Sequence, residues 1–359
     1  MYQPTIYKQL EEKLAAEIRL YDQRDDTNCV RFALSSPSRN WYWQWLCPGS
    51  PAQFFIASAT KLYVTAVVMQ LRDEGKVDLD APAAKYLDPS VMAGIHIYKG
   101  VDSSDRITLR QLLSHTSGIG DYFEQKRMDG GSHIEDILDH DFSWTFDDVL
   151  RITKEQLKPK FAPSTPKKAY YSDTNFQILG ALIEAVIDDT FEEAVTNRII
   201  EPLGLKGTYP FTLEALDKFS EVAQILYDKR LLEIPKAMAS VRADGGIVST
   251  AKDGTIFLEA FMNGKLFPSE YLDEMQGTWR KIFTPFEYGL GIMRFSLPRI
   301  FSPFRAVPSM VGHSGASGAV LYYVPEADLY ISGTVNQLKN RTLPYNLMVR
   351  LVFACQDAW

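Results

Sequence analysis

Strand-forming segments sit at both ends of this 359-residue chain, and the long middle is written for helices. Ile6 to Asp22 has the pattern of a charged amphipathic helix, and Val30 to Leu34 and Trp41 to Leu46 read as strands. Between those strands, Ser35-Ser36-Pro37-Ser38-Arg39-Asn40 carries turn chemistry. A helix is predicted from Ser58 to Gly75, because Leu62, Thr65, Ala66, Met69 and Leu71 recur at helical spacing. From Asp80 to Pro235 the pattern is mostly helical, with buried helices at Leu109 to His115 and Asn175 to Ile187. Gly130-Gly131 and Pro159 to Lys168 read as loops within it. Strands return at Ile247 to Ser249, Tyr288 to Phe295, Ala319 to Val324 and Leu329 to Thr334, and a helix at Leu343 to Phe353 closes the chain. Pro325-Glu326-Ala327-Asp328 joins the last two strands as a hairpin turn. The expectation is an α+β architecture. Residues 1–80 and 236–359 form one discontinuous α/β domain, and 81–235 form a helical insertion. A site belongs in the crevice between them.

Composition narrows the partners. The formal net charge is −7 and 46% of residues are hydrophobic, so the chain has ample core and no basic stripe for nucleic acid or an anionic membrane. No run approaches a membrane span, and the N-terminus lacks the apolar stretch of a signal peptide. The location is cytoplasmic if Met1 is the native start, and extracytoplasmic if a leader was removed. Cys29, Cys47 and Cys355 have no metal or redox spacing, which leaves room for one bridge, Cys29 to Cys47. No cofactor is implied. The expected partner is a small-molecule or peptide substrate.

Chemistry concentrates in three places. In Phe55-Ile56-Ala57-Ser58-Ala59-Thr60-Lys61, a serine and a lysine three residues apart share one helix face. A serine hydroxyl is a weak nucleophile until a base takes its proton, and a partly buried lysine can do so. Alone, the tetrad also fits an N-cap serine followed by a solvated lysine. Tyr171-Ser172-Asp173 stands just before a middle helix, and His313-Ser314-Gly315-Ala316-Ser317-Gly318 just before the last hairpin. In this order the three segments resemble the motifs of the serine β-lactamase and penicillin-binding-protein superfamily, including class C-like β-lactamases, D-alanyl-D-alanine carboxypeptidases and related esterases. Ile107 to Gly118, Gly245 to Thr250 and Tyr288 to Gly291 also resemble family segments.

The resemblance implies a β-lactamase/transpeptidase-like fold, an antiparallel sheet flanked by helices plus the helical insertion. It implies a serine hydrolase that cleaves an amide or ester through an acyl-enzyme on Ser58. Lys61 and Tyr171 would share the general-base work and protonate the leaving group. The N–H groups of Ser58 and Ala316 would form the oxyanion hole, with the third motif as an edge strand and Ser314 and Gly315 beside the substrate. The activities implied are a D-amino-acid carboxypeptidase, an esterase or a weak β-lactamase. The alternative is a penicillin-binding or sensor module that acylates with little turnover.

Two residues depart from the family pattern. Asp173 stands where asparagine is usual. A carboxylate cannot donate to a substrate carbonyl, so Tyr171 is expected to carry more of the base role and Asp173 to favour a donating group such as an amine. His313 stands in place of lysine. It either anchors a substrate carboxylate when protonated or orients Tyr171. His115 invites a Ser-His-Asp triad, but no GxSxG surrounds Ser58, and the resemblance places His115 behind the site. His133, Glu135, Asp136, Asp139 and His140 mimic a metal cluster and read as a solvated acidic surface. Substrate choice falls to the loops Ile119 to Asp148 and Tyr288 to Pro308. Their Tyr122, Phe123, Trp144, Tyr288, Phe301 and Phe304, with the adjoining Phe286, fit either a cleft wall or ordinary core.

Overall fold

Alternation along the terminal strands builds a sheet buried on both faces. The computed structural model describes residues 3–359; Met1, Tyr2 and the side chains of residues 3–6 and Phe301 lie outside the described residues. The elements that place the site begin with helix α1 (Gln3–Asp22) and strands β1 (Arg31–Ser36), β2 (Trp41–Trp45) and β3 (Gln53–Phe55). Helix α2 (Thr60–Asp73) follows a 3-10 turn at Ala57–Ala59. The middle of the chain supplies α3 (Leu109–Leu113), α4 (His133–Asp139), α5 (Phe146–Gln156), α6 (Asp173–Ile187) and the short β4 (Tyr209–Pro210). Then come α7 (Pro235–Ser240), α8 (Arg242–Gly245), β5 (Ile247–Thr250), α9 (Ala251–Met262), β6 (Arg280–Phe283), β7 (Phe286–Tyr288), β8 (Met293–Phe295), β9 (Met310–Ser314), β10 (Ala319–Val324), β11 (Leu329–Thr334) and α10 (Leu343–Ala358).

Eight strands form one antiparallel sheet in the order β6-β7-β8-β9-β10-β11-β1-β2. Because side chains alternate across a strand, Phe32, Leu34, Val320, Tyr322, Leu329 and Ile331 face one layer, where Leu10, Leu14 and Ile18 of α1 meet Leu347, Leu351 and Val352 of α10. Ala33, Leu321 and Tyr330 face the other, toward Phe257, Leu258 and Phe261 of α9 and the body of α2. Ser332 comes so close to α9 that a Cβ on Gly254 would lie 2.1 Å from its Oγ. A small three-stranded sheet, β3-β5-β4, ties the entry to α2 to the middle of the chain.

Helix α2 is buried on all sides, from Thr60 through Met69. A helix apolar all round belongs at the centre of a domain, and α2 sits between the sheet, α6 and α9. Its Tyr63 stacks on Phe257 at 3.7 Å. The site serine therefore stands at the mouth of a helix enclosed on all sides.

Three expectations change. The run Tyr288 to Phe295 is two strands, β7 and β8, not one. Gly291 adopts φ +71°, and a Cβ there would lie 2.4 Å from Thr65 of α2; the turn docks on α2 and breaks the strand. The third motif is not on a sheet edge, since β9 lies between β8 and β10. Pairing with β8 nevertheless ends at Gly312, which leaves His313 and Ser314 bonded to β10 alone. Third, the acidic-looking cluster is not simply a solvated face. His133 is buried among Tyr122, Phe142 and Trp144. Glu135 closes the capping box of α4 with Ser132, and Asp136 pairs with Arg127. Cys29 and Cys47 are both free thiols. No helix among the described residues is long and apolar enough to cross a membrane.

Candidate active site

Chain geometry presents Ser58 before any side chain acts. After β3 the backbone turns sharply at Ala57, whose φ is +46°, a conformation that costs a non-glycine residue energy and clusters at functional sites. Ser58 follows in the first turn of the helix, where backbone N–H groups lack intrahelical partners. Across from it, Gly318 N–H bonds to Gly315 O at 3.0 Å and closes a tight turn in which the Ala316 N–H is not used. Ser317 Oγ donates to Phe55 O at 2.7 Å and fixes the turn to β3. Only glycine fits at 315, because a Cβ would lie 2.2 Å from Ile56 O. Two N–H groups thus border one cleft from opposite sides, a geometry suited to an oxyanion.

Lys61 lies one turn further along and is fully buried. Its Nζ donates to Ser58 Oγ at 3.3 Å, Asp173 Oδ1 at 2.6 Å and Asp244 O at 2.7 Å. Three acceptors match the three protons of an ammonium group. Asp173 is the first residue of α6, where the helix dipole favours a negative charge. Burial raises the Asp173 carboxyl above its usual range, and the Lys61 charge pulls it back down.

Two further buried carboxylates complete the cluster. Asp121 Oδ1 accepts the Asp173 N–H at 2.9 Å, and its loop is pinned where Ser172 and Thr174 hydroxyls donate to Gly120 O. Asp244 Oδ2 accepts from Tyr122 OH and Gln177 Nε2, both at 2.8 Å. Burial first, then the Asp173 charge, pushes Asp121 up to about 7 and Asp244 up to about 8. Sequence reasoning missed both. Neither stands in a spacing that points at Lys61, and the three acids lie at 121, 173 and 244. Because folded Asp244 holds a proton that the unfolded chain gives up near its ordinary pKa, stability should fall as pH rises from about 4 through 8. Asp244→Asn is expected to remove that loss. At pH 8.5 it should melt a few degrees above the wild type, at least about 1 kcal/mol, with the gain shrinking steadily as pH falls toward about 4.

Tyr171 brings its hydroxyl to the same place. The hydroxyl oxygen is buried without a hydrogen-bond partner, and Lys61 Nζ lies 5.2 Å from the ring centroid. Burial, then the Asp173 charge, raises the phenol well above its normal range. That direction favours the protonated phenol at rest.

His313 does not reach the cleft. It is fully buried; its Nδ1 pairs with Ser314 O at 2.8 Å and its Nε2 with Tyr288 OH at 3.0 Å. Burial, then the Lys61 charge, lowers it to about 3. The carboxylate-anchor expectation fails on both counts, and the group His313 orients directly is Tyr288, which packs edge-on against Tyr171. His313→Gln is accordingly expected to give a pH profile of kcat/KM parallel to the wild type between about 5 and 8. A limb near 6.5 that this change removes would contradict it. His115 stands behind Tyr171 at 4.4 Å between centroids, accepting the Ser172 N–H on Nδ1. No carboxylate orients it among the described residues.

The cleft holds about 570 Å³, with Ser58, Tyr171, Asp173, Ser314, Gly315 and Ala316 on its wall. Phe123 and Phe286 line it too, whereas Tyr122, Trp144 and Tyr288 are core and Phe304 is fully exposed.

A family model described as Beta-lactamase matches residues 51–353. The chain belongs to the beta-lactamase family. With this family goes the beta-lactamase/transpeptidase-like fold. A putative penicillin-binding protein PbpX of Bacillus subtilis (strain 168) is 25% identical over 244 residues, 66% of this chain and 52% of that protein. The chain thus spans about half the length of that relative. A D-stereospecific amidohydrolase from Streptomyces sp. superposes with a TM-score of 0.70 at 26% identity, covering 92% of this chain and 94% of the other. A D-amino acid amidase from Ochrobactrum anthropi SV3 gives a TM-score of 0.73 at 20% identity, covering 96% and 99%, and shares the fold.

Proposed function

We propose that this beta-lactamase family member cleaves small amides or esters through an acyl-enzyme on Ser58, as an amidase or esterase rather than a carboxypeptidase. The observation that carries the reading is Lys61 Nζ, held 3.3 Å from Ser58 Oγ and 2.6 Å from Asp173 Oδ1. A proton passed along the shorter contact during the reaction leaves a neutral amine and a neutral carboxyl. The amine then takes the Ser58 proton as Oγ attacks the carbonyl. The oxyanion sits between the N–H groups of Ser58 and Ala316. Tyr171 passes its proton to the leaving group as the C–N or C–O bond breaks, and Lys61 returns a proton to Tyr171. Water hydrolyses the ester on Ser58 by the reverse sequence.

Charge in the cleft argues against a carboxylate-ended substrate. Its acids are Asp121, Glu124 and Asp173, and the cation on its wall, Arg341, is paired with Glu124 at 2.5 Å. A substrate with an amine beside the scissile carbonyl suits these walls better. The names of the Streptomyces and Ochrobactrum relatives, an amidohydrolase and an amidase, support the same choice.

The test compares D-leucinamide, its N-acetyl derivative and a D-alanyl-D-alanine peptide, with intact-mass analysis after penicillin. The free amide is expected to be cleaved at least tenfold faster than the other two. Preference for the D-alanyl-D-alanine peptide would overturn the amidase reading. A penicillin adduct that persists, with no turnover of any substrate, would favour the penicillin-binding or sensor module.

A further inference from the structure

Ser58, Asp173 and Ala316 border a second cavity besides the main cleft. Tyr171 lines the main cleft and not this cavity. The cavity holds about 70 Å³. Its walls are Ile134, Ile137 and Leu138 of α4, Ile234 and Met238 at α7, and Val241 just beyond. Polar groups appear where it opens onto the nucleophile, at Ser58 and the buried acids.

We infer that this cavity is the acyl-chain subsite and takes an unbranched or once-branched aliphatic group of three or four carbons. The assignment rests on the proposed roles of Ser58 and Tyr171. The leaving group receives its proton from Tyr171, so it departs through the larger cleft that Tyr171 lines. The acyl group stays bonded to Ser58 Oγ and lies on the other side of the carbonyl, where Ser58 and Ala316 open into the apolar cavity. Size sets the limit. The volume is about half of the ~150 Å³ that holds a benzene ring in an apolar cavity, so a propyl or isobutyl chain fills it and a long chain overruns it. Apolar walls reward each buried methylene and offer nothing to a polar side chain.

The experiment measures kcat/KM for p-nitrophenyl acetate, butyrate, hexanoate and octanoate, whose hydrolysis does not depend on amine recognition. The wild type is expected to gain about threefold to fourfold per methylene from acetate to butyrate, then to lose rate by octanoate. Leu138→Trp, a half-buried position that fills the cavity, should bring the butyrate-to-acetate ratio close to one. Met238→Ala, which enlarges it, should move the optimum to hexanoate. Thermal melts of both variants check that they fold. A flat series in the wild type, or an unchanged ratio in both folded variants, overturns the subsite while turnover still requires Ser58. Ester turnover that survives Ser58→Ala, or none in the wild type, overturns the parent reading and the subsite with it.

Discussion

Ser58→Ala is expected to lower kcat/KM by roughly 10⁴- to 10⁶-fold, the scale on which removal of a serine nucleophile acts, while leaving the melting temperature within a few degrees. The two halves of that expectation come from different parts of the structure. Ser58 is half-buried at the cleft, and its hydroxyl meets Lys61 at 3.3 Å. Alanine removes that one acceptor, and Lys61 keeps Asp173 and the Asp244 carbonyl. A change of this kind costs about 1 kcal/mol or less in stability. The rate has no such reserve. Among the described residues His115 has no carboxylate partner, and its Nδ1 is occupied by the Ser172 N–H, so no other pair described in the site is arranged to activate a hydroxyl. Steady-state assays on an amide and an ester, with the variant purified free of wild type, give the answer. Residual activity above a few per cent would move the nucleophile elsewhere.

Much of this site is legible in the residues themselves because its chemistry is local. Ser58 and Lys61 share a helix face whatever surrounds them, and the glycines at 315 and 318 announce a turn that must pass close to another backbone. The paired terminal strands are equally plain, since their alternation records two buried faces. What escapes a linear reading depends on meetings across the chain. The break between Tyr288 and Phe295 exists because Gly291 rests on Thr65, and nothing near 291 mentions α2. His313 looks like a ligand in its motif and becomes a support for Tyr288 only once β7 and β9 lie near each other. Asp121 and Asp244 acquire their raised pKa values from burial beside Asp173, a property of the assembled interior. An acid-rich interior around one lysine is thus a product of topology, and its consequences have to be read from energetics.

The Lys61–Asp173 pair is where those energetics are largest. Lys61→Met is expected to lower kcat/KM by more than about 10³-fold and to destabilise the fold by about 3–5 kcal/mol, the cost of breaking a buried ion pair from one side. The methionine fills the lysine's volume, so the loss is electrostatic. Without Lys61, desolvation acts on Asp173 unopposed, and its carboxyl escapes only by keeping a proton. The penalty should therefore be smaller at pH 5 and grow as pH rises, because the folded carboxyl is raised while the unfolded one is not. Asp173→Asn has a different outcome. Lys61 keeps an amide oxygen, the Asp244 carbonyl and Ser58 as partners, so activity on uncharged esters should stay within about tenfold of the wild type. Removing the carboxylate also removes the charge that favours the ammonium form, and the ratio of kcat/KM at pH 5.5 to its plateau should rise. The advantage of the free amide over its N-acetyl derivative should shrink. The double variant completes the cycle. If the pair is coupled as its 2.6 Å contact indicates, adding Asp173→Asn to Lys61→Met should restore most of the lost stability and none of the lost rate. Additive melting temperatures in the double variant would mean that Asp173 acts without reference to Lys61, and the proton shared between them would no longer explain how the amine becomes a base.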